Sequence, residues 1–132
     1  LVAHPDYVNK HGTPRTPDDL YQHACIVDTN RRQPHRWTFR KDGEEVVAKV
    51  RGRFHVNSAR AAIELAAASM GVAYAPRFAL ADMLETRRLV PLLEDFDMDE
   101  GPVTAVYLEG RALPRKIRAL IDFAAEDLHA MP

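Results

Sequence analysis

Asn57 and Ser58 stand where a strand-like run gives way to an alanine-rich helical one, so a side-chain amide and a hydroxyl sit beside the free backbone N–H groups of a helix start. Those N–H groups have no acceptor within the helix, and together with the two side chains they can hold an anion or a hydrogen-bond acceptor. The same residue types also cap a helix with no ligand at all, which on this local feature alone is the simpler reading. Pro76, just past a short apolar run, points to the same end of the sheet, where ligands of α/β folds usually sit.

Other chemistries find less support. The six glycines, at 12, 43, 52, 71, 101 and 110, are scattered, whereas a phosphate cradle needs them clustered. The six histidines contain no helical pair three or four apart, so a zinc site is not expected. Ser58 and Ser69 lie outside any nucleophile elbow. Cys25, in Ala24-Cys25-Ile26-Val27, has the setting of a buried strand residue rather than an electropositive, exposed one. The pairs Glu44-Glu45 and Glu126-Asp127 read as solvated charge on turns or helix surfaces. No motif supports enzyme chemistry, a metal or a cofactor.

The elements that must position these residues belong to one domain-sized chain of 132 residues, with 46% apolar and 28% charged side chains. A formal charge of -1 gives no overall drive toward phosphate backbones. No apolar run approaches a membrane span, and Leu1–His4 is too short for the apolar region of a signal peptide. A lone cysteine makes a reducing, cytoplasmic compartment the expectation. The chain starts without Met and enters strand-like residues almost at once, as a segment of a longer protein would.

Pro5 is placed to start a helix that Gly12 stops, and Thr16-Pro17-Asp18-Asp19 reads as an N-cap, an N1 proline and two carboxylates suited to the helix dipole. Residues 24–28 read as a buried strand and 29–35 as a loop. Trp37 and Phe39 alternate with polar residues before the Asp42-Gly43 hairpin turn. Val46, Ala48, Val50, Gly52, Phe54 and Val56 then alternate with Lys49, Arg51, Arg53 and His55, which predicts one half-solvated strand. From Ser58 the period becomes helical, with Ala62, Ile63, Ala66, Ala67 and Met70 on one side and Gly71 at the end. Residues 72–75 read as a strand, 77–86 as a helix, 94–100 as an acidic surface loop and 103–108 as a strand. The last helix, opened by Pro114, carries Ile117, Leu120, Ile121, Ala124 and Leu128 at core spacing.

In order and spacing, the runs Leu1–Tyr7, His11–Leu20, Trp37–Phe39, Gly52–Ser58, Gly71–Phe78, Arg88–Pro91 and Leu113–Arg118 resemble the effector-binding domain of LysR-type transcriptional regulators along essentially the whole chain. The resemblance implies an α/β fold like a type 2 periplasmic binding protein, mostly one lobe with a mixed sheet flanked by helices. About residues 4–100 would form the second lobe, and 101–132 the strand and helix that return to the first. The winged helix-turn-helix that binds DNA in this family has no counterpart here, so DNA would be a partner only through that domain. The resemblance places a small-molecule effector between the lobes, touching Thr29, Asn30, Asn57, Ser58 and Pro76, with Trp37 a weaker candidate because a strand tryptophan is more often core. It implies a non-catalytic mechanism in a homo-oligomer. The helix start at Ser58 favours an organic or aromatic acid. A periplasmic-type solute-binding protein, which shares the fold, and a small α/β enzyme are the rival readings. The apolar face of the last helix is expected to self-associate or repack.

Overall fold

The computed structural model describes residues 1–98, 106 and 114–130, and the chain divides into two compact units, Leu1–Glu100 and Gly101–Pro132. In the first unit, β1 (Val2–Ala3), β2 (Cys25–Asp28), β5 (Phe54–Val56), β6 (Val72–Ala73) and β7 (Val90–Pro91) form one sheet in the order β5-β2-β6-β1-β7. The strand β2 runs parallel to β5 and β6, while β1 runs antiparallel to β6 and β7. A second, antiparallel sheet holds β3 (Arg36–Lys41), β4 (Glu44–Lys49) and β8 (Asp97–Met98). The helices are α1 (Pro5–His11), α2 (Ala59–Ala67), α3 (Ala81–Glu85) and, in the second unit, α4 (Arg115–Ala130), with short 3-10 turns at Pro17–Gln22 and Arg77–Ala79.

Strand alternation sorts the first unit's side chains into two cores. Leu1, Ala3, Cys25, Val72 and Tyr74 face the second sheet, where they meet Tyr7, Leu20, Trp37 and Phe39. Val2, Ile26, Ala73 and Ala75 face the opposite way, onto Ala62, Ile63 and Ala66 of α2 and Leu80 and Leu89. The small side chains on both sides of that second contact let α2 lie close against the sheet. Trp37 and Phe39 are each at most 1% exposed. Trp37 belongs to this core, its ring stacked on Tyr74 at 5.5 Å and its Nε1–H donating to the Pro34 carbonyl at 3.1 Å.

The N-terminal helix, the 3-10 turn after Thr16, the buried strand and the hairpin lie where the residue pattern put them. Asp42 (φ 52°) and Gly43 (φ 83°) both take the left-handed region that a tight hairpin turn requires. Asp19 secures the turn at Thr16 by accepting from the N–H groups of Arg15 (2.9 Å) and Thr16 (2.8 Å), and these bonds hold its carboxyl below the ordinary range.

Four boundaries differ. The alternation from Val46 to Val56 is two strands in two sheets, because the chain crosses at 50–53. A Cβ on Gly52 would stand 2.2 Å from the Cys25 carbonyl oxygen, so only glycine lets the crossing pass this close to β2. The alanine-rich helix stops at Ala67, where Ser69 N–H donates to Ala66 O and Met70 N–H to Leu65 O, the bonds of a left-handed C-terminal cap with Ser69 at φ 62°. Met70 is therefore exposed, and Gly71 serves instead to approach the Ala24 carbonyl, 2.2 Å from where its Cβ would lie. The expected helix over 77–86 is a 3-10 turn followed by the five-residue α3. Within the acidic loop, Asp97–Met98 pairs with β3. The strand expected at 103–108 lies outside the described residues, Val106 apart.

Candidate functional site

Three parallel strands, β2, β5 and β6, end side by side, and the residues expected to touch a ligand lie in the segments just beyond their ends. After β2 the chain turns at Asp28, whose buried carboxylate accepts from Asn30 N–H at 3.0 Å while its carbonyl accepts from Arg31 N–H at 3.3 Å. The neighbouring strand β5 leads into Asn57 and Ser58. Thr29 binds the end of β5 twice, its N–H (2.7 Å) and its hydroxyl (3.0 Å) both donating to the Val56 carbonyl. The Asn30 side-chain amide donates to the Asn57 carbonyl. Residues 27 positions apart are thus fastened into one ledge.

Ser58 is the N-cap of α2, its Oγ accepting from Ala61 N–H at 3.4 Å. The plain capping role is thereby filled. Thr29, Asn30 and Asn57 are exposed, and Ser58 is half-buried at the helix start. Pro76 lies just past β6 and is half-buried at the same end of the sheet, because β6 runs parallel to β2. Among these residues a hydrogen bond joins Asn30 to Asn57, while Thr29 is tied to Val56 and Ser58 to Ala61; Pro76 shares their end of the sheet.

A hollow of about 430 Å³ is lined by Leu1, Ala75, Arg77, Leu84, Glu94 and Met98 among others, and by none of the five residues. It lies at the same end of the sheet, since β1 runs antiparallel to β6 and so begins where β6 finishes. The five residues make an open ledge, and the hollow is a separate recess beside it.

Two features of this edge were not read from the sequence. The Arg31 guanidinium lies 3.6 Å from the centre of the Tyr74 ring, next in chain to Asn30. Phe78 is 82% exposed two residues past Pro76. The adjacency of Arg31 to Asn30 was a usable signal, while Phe78 lies in the 3-10 turn that precedes α3, where a continuous helix was expected.

Cys25 is 1% exposed, and burial pushes its thiol up to about 12, so it stays protonated. Among the described residues no group of three or more His, Cys, Asp or Glu could hold a metal ion, and no helix is long and apolar enough to cross a membrane.

The family model described as the LysR substrate binding domain matches residues 1–129. The chain is 31% identical to the HTH-type transcriptional regulator PtxR of Pseudomonas aeruginosa over 99% of its own length, and 27% identical to the probable HTH-type transcriptional regulator LtrA of Klebsiella pneumoniae over 99%. It spans 42% and 43% of those two relatives. Among solved structures, the regulatory domain of AphB in Vibrio vulnificus is similar to it with a TM-score of 0.67 and 27% identity, over 95% of this chain and 62% of that one.

Proposed function

The chain belongs to the LysR substrate-binding domain family, and on that premise we propose that it is the effector-sensing part of a LysR-type transcriptional regulator. It supplies one wall of a cleft in which a small molecule is held between two lobes. The observation that carries this reading is the ledge at the ends of β2 and β5, where Thr29 and Asn30 are bonded to Val56 and Asn57 beside the start of α2. Exposed polar groups fixed to a sheet edge can be matched by a ligand without reorganising first.

The free N–H groups at the start of α2 favour an acceptor or an anion, and none of the five site residues carries a carboxylate. A small organic or aromatic acid fits that chemistry. The role is recognition rather than catalysis, in keeping with relatives named as transcriptional regulators rather than solute-binding proteins. The effector favours one arrangement of the two lobes and so shifts how a cytoplasmic homo-oligomer engages its operator through a separate DNA-binding domain.

The test uses the regulator that contains this chain, with a broad set of organic and aromatic acids at millimolar concentration. A binding acid raises the melting temperature by mass action and changes operator affinity. Asn57→Ala, at an exposed side chain, abolishes the response while leaving the ligand-free melting temperature in place. Ser58→Ala is less informative, since loss of the cap costs about 1 kcal/mol whatever binds. No response to any acid across the set overturns the reading.

A further inference from the structure

Three side-chain cations lie over aromatic rings among the described residues, and they differ in what else holds them. Lys41, over Phe96 at 4.9 Å, pairs with Asp95 at 3.8 Å. Arg51, over Tyr21 at 4.4 Å, is exposed, as is the ring at 52%. Arg31, over Tyr74 at 3.6 Å, is half-buried on a ring that is itself only 4% exposed. Among the described residues neither an ion pair nor a side-chain hydrogen bond holds its guanidinium. The Asp28 carboxylate, nearest in sequence, accepts from Asn30 N–H instead.

The group is fixed nonetheless. Arg31 N–H donates to the Asp28 carbonyl at 3.3 Å, and the buried Trp37 stacks on the same Tyr74 ring at 5.5 Å. Ile26 of β2 pairs with Ala73 of β6, so Tyr74 comes just past β6 beside the last residues of β2, and Arg31 follows the turn at Asp28. Stacking takes water from one face of a guanidinium but leaves its N–H donors, which lie in the plane, at the edge. Half-buried donors without an acceptor are costly, and a bound oxyanion removes that cost.

We propose that Arg31, held on Tyr74, anchors the carboxylate of the small acid that this domain senses, through two parallel N–H···O bonds at the ends of β2 and β6. The proposal rests on the effector-sensing reading above and assigns charge recognition to this loop, leaving the start of α2 to meet the ligand's remaining acceptors. The planar fork of one guanidinium matches the two oxygens of one carboxylate. A phosphate needs donors on more sides, and the chain's glycines are too scattered to cradle one.

Trp37, the only tryptophan of the chain, reports on the Tyr74 ring it stacks against. The test titrates this chain with sodium benzoate in place of sodium chloride at fixed ionic strength, exciting Trp37 beyond benzoate's own absorption, with melting temperature as a second readout. Benzoate is expected to give a saturable change in emission and a rise in melting temperature at millimolar concentration, and neutral benzamide neither. Arg31→Gln weakens binding at least tenfold by both readouts. Arg31→Lys, which keeps the charge but loses the fork, also weakens it, and Arg51→Gln leaves it within twofold. No saturable change, equal binding by Arg31→Gln, equal binding of benzamide, or tighter binding of inorganic phosphate each overturns the proposal. Operator affinity of the regulator is a separate measurement: a regulator that answers no acid while benzoate still binds at Arg31 sinks the effector reading, and one whose acid response survives Arg31→Gln sinks only this assignment.

Discussion

At Gly52 the absence of a side chain is what lets the chain leave one sheet and join the other. An added methyl group meets a backbone carbonyl, the Cys25 oxygen at 2.2 Å, and Val27 Cγ2 at 2.9 Å. Backbone cannot swing aside as a flexible side chain does, so Gly52→Ala is expected to cost about 3 kcal/mol and to lower the denaturant midpoint without changing the slope. His23 gives a second prediction. Burial, with His11 nearby, holds its imidazole below the ordinary histidine range against the opposite pull of Asp19. Its unfolded form therefore takes up a proton first as pH falls, so this contribution to stability is complete above about pH 6.5 and is lost on acidification through the lowered folded value. Melts from about pH 7.5 to about 5.5 should show that decline, and His23→Gln should flatten it.

Among the elements, α2 ends in a way that can be improved. Ser69 occupies the left-handed position of the C-terminal cap at φ 62°, where glycine carries no steric penalty. Ser69→Gly is expected to stabilise the chain by about 0.5–1 kcal/mol, read as a rise in melting temperature. The same helix shows what the residue order reveals. Its start at Ser58 was legible because a cap residue precedes a 3.6-residue period, and the hairpin because Asp42-Gly43 fits one turn geometry. The end was not, since Gly71 looks like a cap until its contact with the Ala24 carbonyl is known. The break between β4 and β5 was hidden for a related reason: alternation reports which face is apolar, not which sheet a strand joins. For the site, Asn57, Ser58 and Pro76 were readable as junction residues, and family resemblance supplied Thr29 and Asn30. That Thr29 and Asn30 bind the end of β5 depends on strand order, which no local pattern carries.

On the scale of the whole molecule, α4 presents Ile117, Leu120 and Phe123 at 38%, 63% and 65% exposure. The side chain of Leu128, expected on the same apolar face, lies outside the described structure. A helix with large exposed apolar side chains favours association, so sedimentation velocity is expected to show concentration-dependent self-association that Leu120→Lys abolishes. A monomer across the accessible concentration range would contradict this. In the first unit, the Leu1 nitrogen lies 3.2 Å from the Met98 sulfur, Leu92 N–H donates to the Leu1 carbonyl at 2.9 Å, and β1 pairs with β7. The segment from Leu1 to Met98 thus begins and ends at nearly one point. A unit with abutting ends is an interchangeable cartridge: it can be spliced into a related protein at two adjacent joints, leaving the host's backbone path undisturbed.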